Sequence, residues 1–214
     1  MRDAYLMMVL MDALEEIFDL KEIIKSPIKN RKVVLFVSLV FILSLAISYI
    51  LVINVKYFSY LGDMVFQNFQ KHVENLKITL NEDSSTIILA IWKNNLTVCI
   101  LNYIIGIFSL FVIVVNSYIL SYVLYKFGAE SFIYLVLPHG IIEIPALILS
   151  ASSGILFNIG LVNFLTNIKF RTKREVLHYI KESLKLLVLS IILFIVAGIV
   201  EGTITFKIAK IMFS

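Results

Sequence analysis

The sequence predicts an all-α, polytopic transmembrane helix bundle, and three observations carry that prediction. Hydrophobic residues make up 60% of the 214-residue chain and charged residues 16%, against about 45–50% and about 25% in soluble proteins. Apolar runs long enough to cross a bilayer recur along the chain, beginning with the uncharged residues 33–55; a helical crossing needs about 20 apolar residues. The stretches between those runs are amphipathic rather than Gly/Ser-rich, and only 3 prolines punctuate the chain, so residues 1–214 read as a single integral membrane domain. About five hydrophobic elements are expected, four long spans plus a short or re-entrant one, with amphipathic flanking helices.

Each element has its own justification. In residues 1–30, Asp12, Glu15, Glu16 and Asp19 fall on one helix face and Leu10, Ala13, Leu14, Ile17 and Ile24 on the other. Ser26-Pro27 is the expected stop. Acidic residues this early argue against a signal peptide, so a cytoplasmic amphipathic helix is predicted. The first span, 33–55, follows Lys25, Lys29, Arg31 and Lys32. Juxtamembrane basic residues mark the cytoplasmic side, which puts the N-terminus there and the outer segment 56–93 opposite. In that outer segment Phe66, Phe69, Val73, Leu76 and Leu80 recur at helical spacing up to a stop near Asn81–Ser85.

A central membrane block, 96–162, comprises Leu96–Tyr125 and Phe132–Leu161, divided by Lys126–Glu130. A basic cytoplasmic segment, 169–185, carries Lys169, Arg171, Lys173, Arg174, Lys181 and Lys185 against Glu175 and Glu182. The last span, 186–206, holds one internal charge, Glu201. If each half of the central block crossed once, the two basic clusters would lie on opposite sides. An odd number of crossings returns both to the cytoplasm. Breaks at Asn116-Ser117 or Pro138-His139-Gly140 can supply it.

The formal charge of +4 comes from these local clusters, which read as topology signals touching anionic headgroups rather than as a nucleic-acid surface. Cys99 is the only cysteine, which excludes an intrachain disulfide or a cysteine metal cluster. Trp92 reads as an interfacial anchor, and the sequon Asn95-Leu96-Thr97, which abuts the bilayer, as chance.

Polar residues inside the apolar runs form stripes at helical spacing. Asn102, Gly106, Ser109 and Asn116 make one, with Ile113 filling the gap; His139, Glu143, Ala146, Ser150, Gly154 and Asn158 make another; Gly198, Glu201, Gly202 and Thr205 a third. Small and hydrogen-bonding residues join helices in lipid, so helix–helix adhesion is the first reading. The second concerns His139, Glu143 and Glu201, since a charge at membrane depth costs roughly 2.5–3.5 kcal/mol on insertion scales. His139 and Glu143 share a helix face; a proton relay, an ion pathway or a locked ion pair can result. The candidate intramembrane polar site is therefore His139, Glu143, Glu201, Asn102 and Asn116.

Enzyme signatures are missing. There is no H-E-x-x-H, G-x-S-x-G or G-x-x-x-x-G-K-[ST], and His139 with Glu143 offers only two ligands where a metal site needs more. The remaining histidines, His72 and His178, fall in segments predicted to be solvated. No catalytic residue, metal or cofactor is assigned.

Three stretches, in order, resemble the stage II sporulation protein M family of integral membrane proteins: WKNNLTVCILNYIIGIFSLFVIVVNSYILSYVLYKFG (92–128), LPHGIIEIPALILSASSGILFNIGL (137–161) with its Pro-His-Gly-x-x-Glu element, and AGIVEGTIT (197–205). The chain has Asn116-Ser117 where the family commonly has Asn-Gly. The resemblance implies a membrane scaffold, as for the namesake that partners peptidoglycan-degrading proteins during engulfment, and singles out His139, Glu143 and Glu201 without assigning them chemistry. The expectation is a multi-pass plasma-membrane protein acting as a subunit or organiser of a membrane complex. Its partners are the lipid bilayer and other membrane proteins or its own copies, not nucleic acid. A small-solute or ion transporter using the His/Glu spot is the alternative, and a membrane-embedded enzyme the third reading.

Overall fold

Backbone polar groups in hydrocarbon must be satisfied within the segment that carries them, and helices dominate the chain accordingly. The computed structural model describes residues 11, 14–79, 84–165 and 173–205. Leu10, Asp12, Ala13, Leu80, Lys169 and Arg171, named above, lie outside the described residues.

Residues 14–18 are helical and stop at Asp19, whose carboxylate accepts the Lys21 backbone N–H at 2.8 Å and caps α1, Leu20–Lys29. The expected stop at Ser26-Pro27 is not taken, because α1 runs through Pro27. The proline removes its own N–H, but Ser26 is fully buried and both Ser26 and Asn30 hydrogen-bond Glu182, so tertiary contact overrides local propensity. Helix α2, Arg31–Asn54, ends at extended Val55, and α3, Lys56–Thr79, follows at once.

Next come α4, Ser84–Ile105, a 3-10 turn at Gly106–Phe108, and α5, Ser109–Leu135, kinked at Gly128. Helix α6, Leu137–Leu165, precedes α7, Lys173–Val200, which ends in a π-helical turn, Glu201–Thr205. Four helical stretches are long and apolar enough to cross a membrane: Arg31–Asn54, Ile88–Tyr134, Leu137–Leu165 and Val176–Thr205. Within its apolar window Leu137–Leu165 is 61% buried and Arg31–Asn54 only 22%. Helix α6 is thus the centre of the bundle and α2 lies at its edge.

Inter-helix contacts fix the direction of each helix. Ser117 Oγ donates to the Phe41 carbonyl at 3.3 Å and Ser121 Oγ to the Leu45 carbonyl at 2.9 Å, so α5 runs parallel to α2. Trp92 Nε1 donates to the Ile195 carbonyl at 2.9 Å and Cys99 meets Ser190 at 3.4 Å, so α4 runs antiparallel to α7. Helix α7 begins beside α1 through Glu182, and its Leu186 shares a cluster with Val33 and Val34 of α2, so α7 and α2 point the same way. Helices α4 and α5 therefore point in opposite directions, and the chain turns back between them.

The turn falls at Gly106 rather than at the expected Asn116-Ser117. Gly106 has φ +61° and the Asn158 side chain occupies the space a Cβ would need, a conformation and an approach open to glycine. Asn116 and Ser117 are absorbed into α5 by bonds to the carbonyls of Val112 at 2.8 Å and Ile113 at 2.9 Å, the i−4 back-bonding available to short polar side chains. The stripe Asn102–Asn116 is consequently divided between two helices. At Pro138-His139-Gly140 the helix is continuous, the discontinuity lying two residues before Pro138, at Val136.

Residues 173–185 also depart from expectation. They are no separate basic segment but the first half of α7, and Lys185 is fully buried. Lys181 and Lys185 reach Glu16 at 2.8 and 2.7 Å, and Lys185 reaches Glu182 at 2.9 Å. A buried lysine persists when paired and hydrogen-bonded. The N-terminal segment and the start of α7 thus share one end of the bundle.

Candidate functional site

The opposite end carries the polar cluster. Helix α6 is antiparallel to α7, with Gly160 against Tyr179 at the basic end, Ser190 Oγ donating to the Ala146 carbonyl at 2.7 Å midway, and His139 beside Thr205 at the far end. One turn of α6 puts His139 and Glu143 on the same face. The π-helical turn brings Glu201 and Thr205 from α7 to meet them. Such wide turns are rare and concentrate at functional sites.

His139 Nδ1 lies 3.3 Å from Thr205 Oγ1, and His139 Nε2 lies 3.8 Å from Glu143 Oε2. One ligating atom from each of His139, Glu143 and Glu201 falls within 4.8 Å of the other two. The His139 side chain is 13% exposed and that of Glu143 32%, so the cluster opens outward on the Glu143 side. Among the described residues no lysine or arginine pairs with either glutamate. Two carboxylates that close repel unless a proton or a cation stands between them. The arrangement is suited to sharing a proton or holding a cation.

The other two candidates lie elsewhere. Asn102 is fully buried and donates to Ser150 Oγ at 2.8 Å, its Oδ1 having no partner among the described residues. The Cβ that Gly154 lacks would strike the Asn102 carbonyl, so the pair joins α4 to α6 at close approach. Among the described residues Asn116 bonds only within its own helix. Trp92, expected at the interface, is half-buried and holds α4 to α7.

Sequence reasoning missed two features. The Glu16–Glu182–Lys185 charge cluster was hidden because Lys185 reads as a juxtamembrane topology signal. Asn95 is 4% exposed, and its Nδ2 has no partner among the described residues, whereas its sequon drew attention only to glycosylation. Seven-residue spacing was the available signal: Asn95 precedes Asn102 as Glu143 precedes Ser150.

A charged polar site is also present at the α3–α5 contact, where Asp63 accepts from Tyr122 and Lys126, each at 2.6 Å. The neighbouring lysine, first, and the tyrosine hold the Asp63 carboxyl below its usual range. His178 is exposed, as its place in the sequence suggested.

The chain is 89% identical over its full length to an uncharacterized protein of Methanocaldococcus jannaschii, which it covers completely. A second uncharacterized protein of that organism is 41% identical over 75 residues, which are 35% of this chain and 41% of that protein. No solved structure matches. The profile of the stage II sporulation protein M family matches residues 37–206, which include the α6 and α7 contributions to the polar cluster, and the chain belongs to that family.

Proposed function

We propose that this protein is a multi-pass subunit or organiser of a plasma-membrane complex, in which α2, α4, α5, α6 and α7 each cross the bilayer once. The basic end, with Glu16 and the start of α7, faces the cytoplasm, as the positive-inside rule requires. One observation supports the assembly role above the others: polar groups in the bundle core, Asn95 Nδ2 and Asn102 Oδ1 excepted, are largely spent on one another. Asn102 holds Ser150, Ser190 holds the Ala146 carbonyl, and Ser117 and Ser121 hold carbonyls of α2. The cavities at Glu15–Asp19 and beside Asp63 and Lys126 are lined by residues away from His139, Glu143 and Glu201. What is left for interaction is the outside, where α2 presents Leu35, Phe36, Leu39, Ile42 and Leu43 uncovered.

The test is photocrosslinking in native membranes from probes at Phe36 and Leu39, with a probe at buried Val37 as the internal control. Discrete adducts with another membrane protein, or with a second copy, from the outer positions support the role. Lipid adducts alone contradict it. The His139/Glu143/Glu201 cluster favours cation transport as the second reading. Reconstituted vesicles that pass protons or metal cations, and stop doing so with Glu201→Gln, would select that reading.

A further inference from the structure

We propose that His139, Glu143 and Glu201 bind a first-row divalent cation of the zinc or manganese type, held between the start of α6 and the end of α7. Helical spacing pairs only His139 with Glu143; the fold brings Glu201 to them from another helix as a third ligand. Three ligand atoms around a tetrahedral cation at about 2.0–2.2 Å sit roughly 3.4 Å apart. The present atoms, within 4.8 Å of one another and with His139 Nε2 at 3.8 Å from Glu143 Oε2, converge on such a centre by side-chain rotation. One imidazole nitrogen with two carboxylates suits zinc, manganese or ferrous iron better than the all-oxygen shells of calcium and magnesium.

Two further observations point the same way. Thr205 Oγ1 lies 3.3 Å from His139 Nδ1, within reach to accept a hydrogen bond from Nδ1–H in the tautomer that leaves the Nε2 lone pair for a metal. Metal-bound histidines are commonly oriented by such a partner on the second nitrogen. Asn95, buried and with an unpartnered Nδ2, occupies on α4 the level that Glu143 occupies on α6. Each stands seven residues before its member of the Asn102–Ser150 bond, and α4 and α6 run parallel, as Gly106 against Asn158 confirms. Asn95 therefore stands at the level of Glu143 on a third helix, with an Nδ2 that has no partner among the described residues. The outward opening beside Glu143 is the route of entry.

The experiment uses the full chain, without a histidine tag, stripped with chelator in detergent micelles. Zinc and manganese are titrated separately, with bound metal measured by mass spectrometry after gel filtration. Saturable binding of about one equivalent of either is expected, together with a rise in melting temperature, because a cation that binds the folded state stabilises it. Glu201→Gln and Glu143→Gln should each weaken binding at least tenfold. Thr205→Val, which leaves all three ligands in place, should weaken it about tenfold, the lower end for lost outer partners. His178→Asn should change nothing. Helix content without metal checks that each variant is folded. Absence of saturable binding by the folded wild type overturns the proposal, as does unchanged binding by folded Glu201→Gln.

Discussion

Glu16 and Lys185, 169 residues apart in the chain, form an ion pair at 2.7 Å whose lysine is fully buried. Glu182 approaches the same ammonium at 2.9 Å, while Ser26 and Asn30 donate to its other oxygen. The N-terminal segment, α1 and α7 are thereby locked at one end of the bundle. Removing one member of a buried pair strands the other, at about 3–5 kcal/mol.

Lys185→Met should accordingly destabilise the protein by about 3 kcal/mol, read as a shift in denaturant unfolding in mild detergent. The double variant Glu182→Gln, Lys185→Met should recover much of that loss, because no unpaired charge is left behind. Equal destabilisation by the single and double variants would show that packing, not charge, is at stake.

Acid should loosen the same contact. Lys181, first, and Lys185 hold the Glu16 carboxyl at about 2, below its ordinary 4.5. A carboxyl with a depressed folded value contributes stability above its unfolded value and loses it as pH falls through the folded one. Docking of residues 14–29 should therefore be full above pH 4.5 and weaken steadily toward pH 2. Glu16 is 43% exposed, so solvent screens the pair and the effect is modest. Hydrogen exchange of α1 across that range measures it, and Glu16→Gln should flatten the profile over the same window.

The turn at Gly106 makes a separate prediction. Alanine there must adopt a left-handed φ, at roughly 1–2 kcal/mol, and must also displace the Asn158 side chain. Gly106→Ala should lower stability by about 2 kcal/mol or more, whereas Gly128→Ala, with open space around the Cβ but at φ 78° and ψ 170°, should lose about 1–3 kcal/mol from backbone conformation alone. Melting temperatures of the two variants in one detergent make the comparison. A loss from Gly106→Ala no larger than the left-handed cost of roughly 1–2 kcal/mol would mean that the Asn158 contact carries no weight.

Hydrophobic runs made the spans legible: residues 33–55 and Arg31–Asn54 agree at both ends to within about two residues, the usual uncertainty of helix limits. The pairing of His139 with Glu143 was legible because i and i+4 always share a face. Glu201 joins them through the crossing of α6 and α7, which no spacing within either helix encodes. Gly106 was misread as one small residue in a stripe because its role depends on a positive φ and on Asn158, 52 residues away. The helical course through Pro27 and the burial of Lys185 were hidden for a common reason. Both depend on Glu182, and tertiary hydrogen bonds outweigh the local preferences that a sequence displays.

The central claim is that α4 and α5 are separate crossings that turn back at Gly106. Single cysteines at Tyr57, Phe108, Lys126 and His178, all exposed, placed in a Cys99→Ala background and labelled from either face of oriented membrane vesicles, test it most directly. The account predicts that Tyr57 and Lys126 label from the outer face and that Phe108 and His178 label from the cytoplasmic face. Labelling of Tyr57 and Lys126 from opposite faces would mean that 88–134 crosses once, and would contradict it.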